Sequence, residues 1–417
     1  MFTLGWDPSR KGFHQLVLVD ETKTVLGDWK THGFEEAYKA LLVAKAQATQ
    51  CKTKLQIGYE QDNSIILDKL FEYEAGDLYS LNARRVESYK AALAVTDKTD
   101  YFDGYSCACF LIDFRPKLRP FKPLSPLIKE AKQISSQLDE IRGQKTLLWE
   151  RLWDTIERVS IDLKTITGES RETAWFLSVL SYMTPRVKHT GFPGFLKYCR
   201  KQGSKMHDDQ LRSLHAELKL LNKEGLSEII TPKASMIKLL LEEKKHWEKR
   251  AGETLIKWED GWILKTIKGM GAGTEIRLVA ELGTDWSKWS PQSISKYGGV
   301  APRLSSSGTP DEATLLKMPK HKRKKISLHR GHRVACNKRL KTTLCLFSLY
   351  SMVYNEWAKS DYDRFRQRGQ SHWEALRNLA IKWVRIFCAL LEKKEAYDEY
   401  SHRTEKWRRA DPLRRPR

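Results

Sequence analysis

Residues 2–20 read Phe-Thr-Leu-Gly-Trp-Asp-Pro-Ser-Arg-Lys-Gly-Phe-His-Gln-Leu-Val-Leu-Val-Asp. Residues 2–6 and 14–20 are rich in apolar and β-branched side chains, which favours strands. Between them lie Asp7 and a run of turn-forming residues that ends at Gly12, and such a run predicts a tight connection. The segment therefore predicts two neighbouring strands, with Asp7 at the end of the first.

The following residues predict a third strand and then helices alternating with strands, because the apolar spacing changes between the two periods. The expected strands are 24–29, 55–59 and 78–81, and the expected helices are 34–50, 64–73 and 83–93. Three antiparallel strands followed by alternating helices and strands are typical of a ribonuclease-H-like fold. Residues 1–120 are therefore predicted to form an α/β domain of this class.

Four acidic residues fall where this fold would bring carboxylates together: Asp7, Glu60, Asp100 and Asp103. Asp7 and Glu60 each end an apolar strand, and Asp100 and Asp103 share one face of a late helix, since they are three residues apart. Carboxylates this close repel one another unless a cation neutralises them. The four acids are predicted to form a catalytic site for divalent metal ions, with Asp62 and Asp97 as nearby alternatives.

The composition indicates a polyanionic partner. Seventy-four Lys and Arg against 52 Asp and Glu give a net charge of +22, which attracts nucleic acid. A basic membrane-surface protein is the rival, but the sequence has no apolar run of about 18 residues and no signal-peptide core. We therefore expect no membrane partner and a bacterial cytoplasmic location. The seven cysteines are scattered, without zinc-finger spacing, and are expected to be reduced.

Residues 121–262 are predicted to form coiled-coil arms around a helical insert. Apolar residues recur at spacings of three and four along 127–159, interrupted at Lys145, and again along 237–258. The two arms either pair as an antiparallel hairpin or meet copies from another subunit. The insert, 165–230, carries a basic run.

Residues 263–400 are predicted to be mainly α-helical, with a basic tail at 401–417. Gly269 and Gly271 lie in an Ile-x-Gly-x-Gly motif that resembles a helix-hairpin-helix, in which backbone N–H groups approach a phosphate. Glycines in such connections also serve packing alone, so both interpretations stay open.

A serine triplet, Ser305 to Ser307, precedes Gly308 in a strongly basic segment. A flexible loop and a solvated charge run are the plain alternatives, but a hydroxyl in basic surroundings can attack a phosphate. Ser307 is the expected nucleophile, because Gly308 lets the chain turn sharply behind it. Arg303 is the expected transition-state clamp. The residues expected to contact nucleic acid are Arg303, Lys320, Lys322, Arg323, Lys324, Lys325, Arg330, Gly269 and Gly271.

These motifs together resemble the DEDD recombinases of the insertion sequence 110 / 1111 group and their Piv-type invertase relatives. The resemblance rests on the four acids, the Ile-x-Gly-x-Gly motif at 267–271, Gly-Val-Ala-Pro-x-x-x-Ser-Ser-Gly at 299–308, and Ile326-Ser327-x-x-x-Gly331. It implies a RuvC-like domain that holds Mg²⁺ on the acids, and a C-terminal transposase domain whose Ser307 becomes joined to DNA. It also implies donor and target DNA, a structured bridge RNA, and a dimer or tetramer.

Three departures from the family pattern stand out. Gln61-Asp62-Asn63 replaces a Thr-Gly step, Gly104 replaces an alanine, and the insert is longer than usual. The function expected is RNA-guided DNA recombination through a phosphoserine intermediate. The alternatives are a Piv-like site-specific invertase, a Holliday-junction-type nuclease in which Ser307 is inert, and a non-enzymatic RNA-binding scaffold.

Overall fold

The computed structural model describes residues 1–8, 12–60, 64–92, 99–160, 162–168, 173–305, 329–331 and 335–400. These residues form two compact units, one over Met1–Ser125 and one that begins at Pro126.

The N-terminal unit is a five-stranded mixed sheet with four helices. Its elements are, in order, β1 (Phe2–Pro8), β2 (Phe13–Val19), β3 (Val25–His32), α1 (Gly33–Gln50), β4 (Leu55–Tyr59), α2 (Ser64–Glu72), β5 (Asp77–Ser80), α3 (Ala83–Ala92) and α4 (Asp100–Phe114). The strand order is β3-β2-β1-β4-β5. The first three strands are antiparallel, whereas β4 runs parallel to both β1 and β5.

The type and order of the elements predicted for this unit are confirmed, with boundaries that agree within three residues. The agreement has a physical reason: β1, β2 and β4 are buried along nearly their whole length, so apolar side chains are required on both faces. The ribonuclease-H-like assignment itself stays a prediction.

The C-terminal unit is mainly α-helical, as predicted. Its described α-helices and strands are α5 (Pro126–Glu157), α6 (Leu163–Thr167), α7 (Ala174–Ser178), α8 (Phe192–Lys201), α9 (Asp208–Lys223), α10 (Ser227–Ile256), α11 (Gly261–Lys265), α12 (Ala272–Leu282), α13 (Pro291–Tyr297), β6 (Arg303–Ser305), β7 (His329–Gly331), α14 (Lys338–Tyr354), α15 (Glu356–Gln367) and α16 (His372–Lys393). A π-helix (Val179–Met183) and a 3-10 helix (Thr184–His189) follow α7, and a second 3-10 helix is Trp286–Lys288. None of the helices in the described residues is long and apolar enough to cross a membrane.

The two longest helices, α5 and α10, pack side by side in opposite directions. Lys257 and Arg250, near the end of α10, pair with Glu130 near the start of α5 at 2.9 and 3.6 Å. At the other end, the Lys233 ammonium donates to the Thr155 hydroxyl at 3.3 Å. Of the two arrangements that the sequence left open, the antiparallel hairpin within one chain is therefore present, while coiled-coil supercoiling stays a prediction.

The hairpin connects two separate hydrophobic cores. Ala131, Ile134 and Leu138 pack with the end of α10 and with helices α11, α12, α14 and α16. Leu152, Trp153 and Ile156 pack with the start of α10 and with the helical insert. Between the cores, no side chain is buried in 142–151 or in 238–250. We call these two stretches the shaft.

Exposed apolar residues on the shaft allow a test of whether it mediates self-association. Leu138 and Ile141, in the seam predicted for oligomer contacts, are buried within the chain, so charges there would disrupt folding. Leu147 and Leu239 are 48% and 63% exposed, so replacing both with Glu leaves the packing intact. We expect the double variant to form smaller species in light scattering, because it adds like charges to an apolar contact. Ile256→Glu, at an exposed site beyond the shaft, is the control, and an unchanged mass would exclude the shaft as the interface.

Glu275 in α12 is fully buried, and neither carboxylate oxygen has a hydrogen-bond partner among the described residues. Burial raises its pKa to about 7. The folded chain therefore holds a proton that the unfolded chain releases above its ordinary pKa of about 4.5. The stability that the protonated Glu275 carboxyl contributes is fully present below about pH 4.5 and is lost as the pH rises through about 7.

We expect Glu275→Gln to unfold with nearly the wild-type free energy at about pH 4 and to be more stable by up to about 3 kcal/mol at about pH 8. Urea unfolding at the two pH values measures the difference. A gain of equal size at both would show that Glu275 is not the titrating group.

Candidate active site

Asp7 and Glu60 occupy equivalent positions on adjacent parallel strands. Trp6 of β1 pairs with Tyr59 of β4. Asp7 directly follows Trp6, and Glu60 directly follows Tyr59. The Glu60 backbone N–H donates to the Trp6 carbonyl at 3.2 Å, which continues the pairing by one step. Both acids therefore emerge at the same edge of the sheet, as the sequence predicted.

Helix α4 lies directly on the backbone of these strands because glycines remove the side chains between them. Gly5 and Gly58 face each other across β1 and β4. A Cβ on Gly5 would lie 2.0 Å from the Gly104 carbonyl oxygen and 2.5 Å from the Ala108 nitrogen. A Cβ on Gly104 would lie 3.0 Å from Val17 Cγ2. Gly104, the residue after Asp103, thus also lets α4 approach the sheet closely, on the side of β2.

Lys90 joins two of the carboxylates. Its ammonium lies 2.6 Å from Asp103 Oδ1 and 3.7 Å from Glu60 Oε2, and its side chain is only 13% exposed. The Cys107 thiol donates to Glu60 Oε2 at 3.4 Å. Neither Lys90 nor Cys107 is among the site residues that the sequence predicts. The sequence offers only weak signals that could have identified them: Lys90 lies one helical turn after the buried Val86 of α3, and Cys107 lies one turn after Asp103.

The electrostatics of Asp7 reflect this crowding. Burial, together with the negative charges of Glu60 and Asp103, raises the pKa of Asp7 to about 7. Lys90 opposes the shift, but its single positive charge is outnumbered by three carboxylates. Asp7 consequently holds a proton near neutral pH and forms a side-chain hydrogen bond with Glu60.

Asp100 points to a neighbouring cleft. Its Oδ2 accepts from the Lys30 ammonium at 2.8 Å, and both residues line a small cleft together with Asp7, His14 and Gln15. Two of the predicted acids, Glu60 and Asp103, thus pair with Lys90, Asp7 hydrogen-bonds to Glu60, and Asp100 pairs with Lys30. Within the described ranges, no three His, Cys, Asp or Glu side chains are arranged, as they stand, to hold a metal ion. Asp62 and Asp97 lie outside the described residues.

The predicted serine segment begins from a well-defined turn in the other unit. Gly299 has a φ of +65°, which favours glycine, and the Val300 and Ala301 N–H groups donate to the Ser295 carbonyl at 3.0 Å. Strand β6 then pairs antiparallel with β7, so that Ser305 lies opposite His329. Ser305 and His329, which flank residues 306–328, are therefore adjacent.

Most of the predicted nucleic-acid contacts fall in the sequence between β6 and β7, outside the described residues. Arg303 and Arg330 are described only as strand backbone. The residues that lie outside the described ranges are Ser306, Ser307, Gly308, Lys320, Lys322, Arg323, Lys324 and Lys325. Their roles stay predictions.

The Ile-x-Gly-x-Gly motif connects two helices, α11 and α12. Gly269 has a φ of +90°, and a Cβ there would lie 2.8 Å from the Tyr354 ring, so packing accounts for this glycine. Gly271 precedes the first residue of α12, and no described atom lies near enough to oppose a side chain there. Phosphate contact at this turn stays a prediction.

A comparison with known protein families matches part of this second unit. Residues 262–363 match the model of the transposase IS116/IS110/IS902 family. The similarity to insertion-sequence 110 transposases that the motifs predict is thereby confirmed over this segment, which includes β6, β7 and the position of Ser307.

One curated relative is an uncharacterized 43.6 kDa protein of insertion element IS110 from Streptomyces coelicolor (strain ATCC BAA-471 / A3(2) / M145). It is 24% identical over 200 residues, which are 48% of this chain and 45% of the relative. The chain thus spans less than half of that relative's length. The DEDD chemistry, the bridge RNA and the Piv relationship stay predictions.

The contact of α4 with the sheet is testable by adding a methyl group. Gly5→Ala places a Cβ against backbone atoms, so α4 must move. We expect a loss of more than about 2 kcal/mol in the free energy of unfolding. Gly143→Ala on α5, where a Cβ meets nothing within 4 Å, should instead stabilise by about 0.5–1 kcal/mol. Equal effects in chemical denaturation would contradict the close contact.

Proposed function

We propose that this chain is a DNA transposase or recombinase that cuts and rejoins strands through a phosphoserine intermediate, with Mg²⁺ bound at the acidic cluster. The observation that carries the proposal is the set of three carboxylates, Asp7, Glu60 and Asp103, that converge from two strands and a helix. Support for the reaction class comes from the match of residues 262–363 to the transposase IS116/IS110/IS902 family. The strand order β3-β2-β1-β4-β5 supports a ribonuclease-H-like, RuvC-like domain.

The donor set suits a hard divalent cation. The cluster offers carboxylate oxygens, the ligands that Mg²⁺ takes in proteins, and a proton on Asp7 and the Lys90 ammonium supply too little positive charge. Asp7, Glu60 and Asp103 would hold the ion, with Asp100 joining once it leaves Lys30. Bound there, Mg²⁺ would stabilise the charge that builds on a scissile phosphate.

Ser307 is the proposed nucleophile. Its Oγ forms a bond to phosphorus, the bond from phosphorus to one bridging oxygen breaks, and the serine proton ends on the released hydroxyl. The phosphodiester energy is retained in the phosphoserine, so rejoining requires no external energy source. Arg303 is proposed to clamp the phosphate oxygens.

The partners are proposals on the same basis. The net charge of +22 suits donor and target DNA and a structured bridge RNA, and the shaft is the proposed contact of a dimer or tetramer. A Piv-like invertase would use the same chemistry on one DNA molecule. A Holliday-junction-type nuclease is less favoured, because Ser307 lies inside the segment that matches transposases.

Metal binding has a readout that is independent of catalysis. We expect Mg²⁺ to raise the melting temperature of the wild type, and more so as the pH rises through about 7, since Asp7 must release its proton. Asp7→Asn should abolish this gain, whereas Glu35→Asn, outside the cluster, should not. Lys90→Gln should melt lower without metal and bind Mg²⁺ about tenfold more tightly, because a competing cation is removed. If Mg²⁺ stabilised the wild type and Asp7→Asn equally, the site would be wrong.

The phosphoserine is tested by trapping. The substrate is DNA from the regions flanking the chain's own coding sequence, supplied with any RNA that copurifies. We expect denaturation to leave a nucleotide on Ser307, located by mass spectrometry. Ser307→Ala should lose the adduct, and Asp7→Ala, Glu60→Ala, Asp100→Ala and Asp103→Ala should lose recombination while retaining DNA binding. Ser305→Ala and Ser306→Ala are the controls. A nucleotide on a tyrosine or another serine would sink the assignment.

A further inference from the structure

The C-terminal unit contains a cavity of about 260 Å³ directly before strand β6. One wall is the segment Gly299–Pro302, which leads into β6. The opposite wall is formed by residues 368–370, after α15, and by the first turns of α16. The cavity thus lies against the chain that carries the proposed nucleophile.

Two arginines line this cavity, and neither pairs with an acid in the described structure. Arg368 and Arg377 have no carboxylate within ion-pair distance among the described residues, although both face the same space. Lys341 lies nearby, since a Cβ on Gly299 would be 3.5 Å from its Cδ. Converging cations repel one another, so this arrangement favours an anion between them.

The acidic group of the cavity is already engaged. Glu374 Oε2 accepts from the Ser371 N–H at 2.9 Å and from its hydroxyl at 3.0 Å, as part of the capping box of α16. The Asn378 amide donates to the Gln370 side-chain oxygen at 2.7 Å. These bonds keep the Glu374 carboxylate, which retains its negative charge, at the start of α16. The two guanidinium groups outnumber it, so the cavity lining carries a net positive charge.

A second cavity at the other end of α16 gives an internal comparison. Three acids, Asp260, Asp285 and Glu392, line it together with Arg385 and Lys394. Lys394 pairs with Asp260, and Lys288 pairs with Asp285. Acids thus outnumber cations in the lining of this second cavity, whereas cations outnumber the acid in the lining of the Gly299–Pro302 cavity.

We propose that this cavity binds a backbone phosphate of the DNA strand on which Ser307 acts. A guanidinium fork matches two phosphate oxygens. Ser307 is five residues beyond Pro302, so it lies at most about 18 Å from the cavity wall along an extended chain. A phosphate held by Arg368 and Arg377 would thus position the strand within reach of the serine. The role in positioning rests on the proposed function, whereas the binding does not.

Fluorescence anisotropy tests the binding with the full chain in magnesium-free buffer. The probes are a labelled single-stranded oligonucleotide and its duplex. Arg368→Gln and Arg377→Gln should each weaken binding about tenfold and lower the slope of log affinity against log salt by about one. Arg385→Gln, the same change on α16, should leave both unchanged. Unchanged affinity and slope in the first two variants would overturn the proposal, as would competition by polyglutamate as strong as that by unlabelled DNA.

Chemical footprinting of the wild-type chain tests the same site without relying on variants that could misfold. DNA should protect Arg368 and Arg377, but not Arg385, from modification by a glyoxal reagent, as read by mass spectrometry. Equal modification with and without DNA would also overturn the phosphate site. The trapping experiment separates the two proposals. An absent phosphoserine with protected arginines would refute the chemistry and keep the site, whereas a phosphoserine with unprotected arginines would refute the site alone.

Discussion

The close contact between helix α4 and the Gly5–Gly58 pair is the constraint on which the acidic site depends. With no side chain on either glycine, the helix backbone at Gly104 and Ala108 lies against Gly5 of β1, and the Cys107 carbonyl lies near Gly58 of β4. Asp103 and Cys107, one turn apart on α4, are then held beside the strand ends that carry Asp7 and Glu60. Any side chain between sheet and helix would separate the acids.

Once the acids are together, their charges determine the remaining contacts. Lys90 bridges Asp103 and Glu60, Cys107 donates to Glu60, and Asp7 retains a proton because burial and its neighbours raise its pKa to about 7. These are the responses expected of carboxylates that lack a full counter-charge. The proposed metal would replace the proton on Asp7 and the Lys90 ammonium. The cavity with Arg368 and Arg377 would bind a backbone phosphate of the DNA.

The sequence pattern predicts those features of the fold and the site that depend on residues close together in the chain. The strands of the N-terminal unit follow from runs of buried apolar residues, and Asp7 and Glu60 follow from the strand ends. The contacts of Lys90 with Asp103 and of Asp100 with Lys30 could not be predicted from such local patterns, because tertiary packing determines which residues meet. The helical arms were recognised from their spacing, but spacing alone does not tell a hairpin within one chain from contacts between chains. Ser307 lies outside the described residues, so its placement still rests on the motif.

The titration of the Asp7 carboxyl group tests the central claim most directly, because it reports the cluster and its metal together. Carbon-13 NMR of aspartate-labelled protein, with Asp7→Asn identifying the signal, measures it without substrate. In the absence of metal the group should titrate at about 7, and saturating Mg²⁺ should move the pKa to or below the ordinary aspartate value of about 3.9. A pKa near that ordinary value in both conditions would contradict the account.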